Sequence, residues 1–257
     1  MNQSFNLTRF GRLLRKHTTE HLTSYLMSAA VLLGGIIVVL GSLTYMLRRP
    51  LEHEVQVILF MFGLLAAGAT FTSSVFAAIG TPRGAAPALL LPASHFEKYL
   101  VAWLYSLPVF LVVYTAVFRL VNTLVLQAGS QGHPYEAYDF SRGAREWATP
   151  LLSYMLLHSA ALCGAIYFRR LHVIKTAFLL FGSAVALILA NRQFIKGLLP
   201  DSWPVFPFGD VWVGERSQRV LLALPTSQWQ LALMLGALAL ATLLWLAAYT
   251  RLTEKQI

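Results

Sequence analysis

Residues 91 to 126 read LPASHFEKYLVAWLYSLPVFLVVYTAVFRLVNTLVL: a short polar opening, then an apolar run from Tyr99 to Leu126 with Arg119 as its single charge. Ser94 and Glu97 have the S-x-x-E spacing of a capping box, in which a hydroxyl and a carboxylate take up the orphan amides of a helix start. A helix is therefore predicted to begin here and run on into the apolar stretch. About 18 apolar residues suffice to cross a hydrocarbon layer of about 30 Å. Working outward, five more such runs lie at about 22–47, 55–79, 151–167, 173–190 and 229–249. Each is continuously apolar instead of alternating, and a backbone in lipid must satisfy its own hydrogen bonds, so helices are expected and not barrel strands. The predicted fold is an all-α polytopic membrane protein, one transmembrane domain of six helices. Composition agrees: 57% of residues are hydrophobic and 12% charged, against roughly 25% charged in an average soluble domain.

An even number of crossings puts both termini on one side, and the placement of Lys and Arg says which. One side carries eleven cations and three acids, the other eight of each. Short basic loops stay in the cytoplasm, so both termini are predicted cytoplasmic. The net charge of +9 then reads as topology and attraction to anionic membrane lipids, and no nucleic-acid partner is expected. Over residues 1–21, Leu7, Phe10, Leu13 and Leu14 share one side of a helical projection and Arg9, Arg12, Arg15 and Lys16 the other. This pattern predicts an amphipathic helix in the headgroup plane, with a plain basic anchor as the alternative. The first apolar run is too long for a signal peptide and lacks a small-residue cleavage site, so it is expected to be retained.

Small residues in the spans, among them Gly34, Gly35, Gly41, Gly63, Gly68, Gly164 and Gly236, mark places where helices could approach closely. Pro108 is expected to bend the third span. No Asp or Glu lies inside any span, which argues against ion-coupled transport, where such groups hold the coupling ion. Arg119, toward the outer end of the third span, reads as a snorkelling anchor or, alternatively, a substrate contact. Cys163 is the only cysteine, so no intrachain disulfide or thiolate cluster is possible. His158 could pair with Ser183 to imitate a serine–histidine couple, but no oxyanion donor is evident, and a hydrogen-bonded core histidine is the preferred reading. No catalytic, cofactor-binding or metal-ligating set is predicted. A Walker A loop is also absent, so any ATP-driven activity must draw on another subunit.

The stretch Leu91-Pro92-Ala93-Ser94-His95-Phe96-Glu97-Lys98 resembles the L-P-A-S-x-x-E-K segment of type 2 ABC transporter permeases from bacteria. The layout of the rest of the chain is similar to that family too. The resemblance implies a permease subunit of an exporter in the bacterial inner membrane, a dimer with itself or a paralogue, and a cytoplasmic ATP-binding partner. It also implies that the loop from Thr81 to Lys98 holds the coupling helix, with Arg83, Pro92, Ser94, His95, Phe96, Glu97 and Lys98 as the ATPase-coupling residues. The outer segment 191–228 holds Trp203, Phe206, Phe208 and Trp212, too hydrophobic for a solvated linker. By the same resemblance it is a re-entrant pair of helices; an interfacial aromatic belt is the competing reading. Ser227 and Gln230 form a second capping box, predicted to start the sixth span. A non-transporting scaffold or accessory subunit of a secretion or motility complex would share this topology, and an intramembrane enzyme built on His158 is a third class.

Overall fold

The computed structural model describes residues 5–80, 94–130, 137, 144–168, 172–200, 202–204, 211–214, 220–222 and 226–255. Among these residues, seven α-helices and three short strands follow in order: α1 (Leu7–Leu47), α2 (His53–Gly80), α3 (His95–Leu104), a π-helical turn (Tyr105–Val109), α4 (Phe110–Gly129), α5 (Ala144–Tyr167), α6 (His172–Leu198), β1 (Ser202–Pro204), β2 (Val211–Val213), β3 (Val220–Leu222) and α7 (Thr226–Lys255). With α3, the π turn and α4 counted as one rod, six helices are long and apolar enough to cross a membrane. All six predicted runs are recovered.

Two boundaries differ from the sequence reading. The break expected near residue 21 is absent, and α1 is one continuous helix of 41 residues, about 61 Å long at 1.5 Å per residue. No Gly or Pro occurs between Arg12 and Leu33, so nothing in that stretch interrupts the ladder. The helix starts at Asn6, whose side-chain oxygen accepts from the amides of Thr8 and Arg9. It ends at Arg48 in the left-handed region, φ 51°, two residues before Pro50, an ordinary pairing of helix stop and proline.

The fifth span likewise runs on to Leu198, two residues short of Pro200. Beyond it, the described residues of the outer segment are strands, not re-entrant helices. They form an antiparallel meander, β1-β2-β3, in which Trp203 faces Trp212 and Trp212 faces Leu221. Pro204 and Pro207 stand within six residues of Trp203 among aromatic and β-branched neighbours, a composition that rejects helix interior and suits short strands. Phe206, Phe208 and the side chains of Trp203, Ser227 and Gln230 lie outside what is described; α7 does begin at Thr226, beside the predicted cap.

The interior is built around α5, which packs on α2, α6 and α7, while α1 lies along α4. One buried cluster joins Leu40, Phe60, Leu64, Phe110, Tyr114 and Tyr154, and a second joins Phe76, Tyr99, Leu162, Ile166, Ala248 and Leu252. Some predicted small residues seat these rings: Gly63 lies under Tyr114, Gly68 under Tyr154 and Phe110, and Gly164 against Thr176. Gly34, Gly35, Gly41 and Gly236 face open space. The outer faces of α1, α6 and α7 are bare hydrocarbon, with Val31, Val38, Phe178 and Phe181 more than two-thirds exposed. So much apolar surface suits lipid and not water, and the chain is an integral membrane protein.

Cys163 is the sole thiol and is partly buried, its Sγ donating to the Leu244 carbonyl. It therefore serves as a built-in reporter of unfolding in detergent. Gly68→Leu should overpack the Tyr154 site and cost about 1–3 kcal/mol, lowering the temperature at which Cys163 becomes maleimide-reactive by several degrees, whereas Gly34→Leu should leave it unchanged.

Candidate functional site

The start of α3 is held as the sequence predicted. The Glu97 amide donates to Ser94 Oγ at 3.2 Å, and the Ser94 amide donates to Glu97 Oε2 at 3.0 Å. The same carboxylate also does something that the local spacing does not announce. Arg9 donates from Nε to Oε2 at 2.8 Å and from Nη2 to Oε1 at 2.8 Å, a two-pronged ion pair. The Asn6 amide donates to Oε1 at 2.9 Å. Glu97 is 0% exposed, so one buried carboxylate fastens the first turn of α1 to the first turn of α3. Charge-assisted bonds of this kind are about twice as strong as neutral ones, and a buried carboxylate without them would be costly.

Glu97 precedes the membrane-crossing stretch that starts at Tyr99. The Arg9 guanidinium, helped by the Asn6 and Ser94 amides and opposed by burial, holds its carboxyl down from an ordinary 4.5 to about 2.

Aromatic rings close around this joint. Phe5 contacts both Phe10 and Phe96, Phe96 meets Tyr249 edge-on at 5.9 Å, and Tyr249 meets Tyr99 at 5.5 Å. The Tyr99 hydroxyl donates to the Trp245 carbonyl at 3.0 Å, bringing in α7. Phe10, Leu13 and Leu14 are half-buried and Arg12, Arg15 and Lys16 exposed, but Leu7 is exposed and Arg9 turns inward to Glu97, so the predicted division into faces holds only from Phe10 onward, with the apolar side toward the protein. Ser94, His95, Phe96, Glu97 and Lys98 thus gather at one point. Arg83 and Pro92 lie outside the described residues, and Trp212 belongs to the separate sheet.

About three turns further along, Pro108 sits in the π turn. Proline has no N–H to donate, which frees carbonyls one turn back, and in lipid these need other donors. Side-chain donors reach two carbonyls of this stretch, one of them (Trp103) a turn back from the proline. Ser106 Oγ donates to the Trp103 carbonyl at 3.3 Å, and the Tyr154 hydroxyl donates to the Ser106 carbonyl at 2.6 Å. His158 completes the arrangement, with Nε2 2.8 Å from Ser106 Oγ and Nδ1 accepting from the Trp245 indole at 3.1 Å. An indole N–H only donates, so Nδ1 is the acceptor and Nε2 carries the proton. Ser183, by contrast, is exposed and donates to Leu180 on its own helix. Ser106 takes the place that the sequence reading had considered for Ser183.

On the other side of the π turn, α1 reaches in. Thr18 Oγ1 lies 2.5 Å from the Tyr105 hydroxyl, Tyr25 stacks on Tyr105 at 5.1 Å, and His17 Nε2 is 2.6 Å from the Tyr25 hydroxyl. Among the described residues, no group of three or more His, Cys, Asp or Glu converges as a metal site. The arrangement is mechanical: a stiff, charged joint at Glu97, then a short segment of α3, then a turn with irregular hydrogen bonding. Asn6, Tyr105 and Ser106 were not singled out from sequence, and Arg9 was read only as part of a cationic face. Pro108 was a signal for Tyr105 and Ser106, since a mid-span proline demands compensating donors; nothing local marks Arg9 as the partner of Glu97.

Comparison with protein-family models, curated proteins and solved structures returned no match.

Three outcomes follow from this geometry. The Glu97 joint should hold in full above about pH 4.5 and weaken as pH falls toward 2, because a depressed carboxyl pKa stabilises only while the group stays ionised. Glu97→Gln, which keeps the shape and removes the charge, should already lower the Cys163 reactivity temperature at pH 7, by an amount equivalent to about 2 kcal/mol. Tyr154→Phe removes only the donor to the Ser106 carbonyl and should cost about 1 kcal/mol by the same assay.

Proposed function

We propose that this chain is the membrane-spanning permease subunit of an ABC-type exporter in a bacterial inner membrane, driven by a separate cytoplasmic ATPase. The observation that carries the reading is the Glu97 joint. A force applied just ahead of Ser94 meets a capped helix end, and the same carboxylate passes it to α1 through Arg9 and Asn6. Through Tyr99 it also reaches α7. A loop that only connected two spans would have no need of a buried, fully bonded carboxylate.

Phe5, Leu7 and Phe96 leave apolar surface at this end, being 46%, 75% and 44% exposed, and Arg12, Arg15 and Lys16 are exposed nearby on α1. An apolar patch with a cationic rim suits a protein partner on the cytoplasmic face. ATP-driven closure of the ATPase pair would press on the α3 start and move α1, α3 and α7 together as a body. The π turn at Pro108 is the next place where the third span can give, since π-helical turns interrupt the regular ladder and occur often at functional positions. The bare outer faces of α1, α6 and α7 leave room for a second permease subunit, the same chain or a paralogue.

Tagged chain purified from native membranes should bring an ATP-binding subunit with it, and Phe96→Asp should abolish this while Phe178→Asp, on the exposed side of α6, should not. Cysteine placed at His95 in a Cys163→Ser background should react with an impermeant maleimide only from the cytoplasmic side. Labelling from outside, or ATPase recovery and nucleotide-dependent flux unaffected by a Gly/Ser replacement of residues 92–97, would overturn the reading.

A further inference from the structure

Arg119 is the single charge in the apolar run from Tyr99 to Leu126. One face of α4, carrying Phe110, Tyr114, Phe118 and Leu126, is buried. The other face borders an open, shallow groove of about 760 Å³ whose described lining comes from α4 alone, with Leu111, Val112, Thr115, Ala116, Arg119 and Leu120 along it. A volume of a few hundred Å³ or more is enough to take a sizeable apolar group. Arg119 is exposed at this surface.

Depth decides what can meet the guanidinium. The helical rod that holds the third span runs for 35 residues, from His95 to Gly129, about 52 Å at 1.5 Å per residue. Centred on a hydrocarbon layer of about 30 Å, it places Arg119 about 10 Å from the midplane and about 5 Å inside the boundary, on the side of residue 129. A cation there carries a cost of a few kcal/mol unless it finds an anion or reaches the interface. The six spans supply no Asp or Glu, and among the described residues Arg119 has no ion-pair partner. A second copy of the chain would bring the same acid-free spans. Among the described residues no carboxylate meets the guanidinium, so its charge is open to an anion from the surrounding membrane.

The rest of the groove says what kind of molecule carries it. One turn deeper than Arg119, Thr115 Oγ1 is buried without a hydrogen-bond partner, while the hydroxyl of Thr123 is already spent on the Arg119 carbonyl at 2.8 Å. Below that, Ala116, Val112 and Leu111 form an apolar track. From Arg119 to Leu111 it covers about 12 Å of helix, most of the depth of one leaflet's hydrocarbon.

We propose that this face of α4 is a binding site for an anionic phospholipid of the leaflet on the side of residue 129. The headgroup phosphate sits on the Arg119 guanidinium, and one acyl chain lies along Ala116, Val112 and Leu111. The site stands apart from the Glu97 joint and requires no ATP-driven transport, so failure of ATPase co-purification leaves it intact.

The test is native mass spectrometry of the purified full chain in neutral detergent, titrated with phosphatidylglycerol and with phosphatidylcholine bearing the same chains. A charge near a headgroup is worth about 1 kcal/mol, so the wild type should hold phosphatidylglycerol about fivefold more tightly. Arg119→Gln should abolish most of that preference and Arg119→Lys should keep it. The basic residues around Arg12 are untouched in both, so the difference reports this groove alone. Ala116→Trp, which keeps the charge but fills the track, should weaken phosphatidylglycerol binding, and glycerol phosphate, with no tail, should not bind. Equal binding of the two lipids by the wild type, a preference that survives Arg119→Gln, or full binding by Ala116→Trp would overturn the site. So would glycerol phosphate that binds as tightly as the lipid. The Cys163 reactivity temperature checks that each variant is folded.

Discussion

A carboxylate withdrawn from water must be compensated from several directions at once, and Glu97 is: two prongs from Arg9, one amide from Asn6, one from Ser94. Each donor belongs to a different piece of local structure. Asn6 is the cap of α1, Ser94 the cap of α3, and Arg9 the first full turn of α1. Because the group is ionised and buried, these donors cannot be released one at a time without leaving charge uncompensated, which couples the two helix starts far more firmly than apolar contact would. The rings of Phe5, Phe96, Tyr99 and Tyr249 pack around the joint and join α7 to it.

How much of this was legible in the sequence depends on how local each cause is. The six spans were legible because hydropathy is summed over neighbours. The capping box was legible because its two residues are three apart and bond within one turn. The Arg9 to Glu97 pair is separated by 88 positions, and a charge pattern that reads as an interfacial face gives no hint that one of its members turns inward. His158 was recognised as a core histidine by elimination, yet its partners Ser106 and Trp245 are 52 and 87 positions away. The meander after α6 went unread for a different reason: aromatic, Pro-rich sequence suits both an interface and short strands, and strand pairing is decided by partners, not by the segment itself.

The third span shows how a membrane helix accommodates a residue that disrupts it. Pro108 removes a donor, the backbone widens into a π turn, the Trp103 carbonyl is met by Ser106 from within, and Tyr154 from α5 donates to the Ser106 carbonyl. The neutral imidazole of His158 then links Ser106 to Trp245, so α5 and α7 both register the state of that turn. On the opposite side Thr18 and Tyr25 of α1 hold Tyr105. Every helix that meets the Glu97 joint therefore meets the π turn as well, at a second level.

The unbroken length of α1 has a geometric consequence. A rod of 41 residues is about twice as long as the hydrocarbon is thick, so roughly half of it extends past the lipid tails. Such a rod can act as a lever pivoting in the bilayer: a rocking of about 10° about its midpoint sweeps an end about 30 Å away through about 5 Å, close to one helical turn. Amplification works in the other direction too, with a large excursion at Arg9 arriving as a small, forceful rotation among the spans.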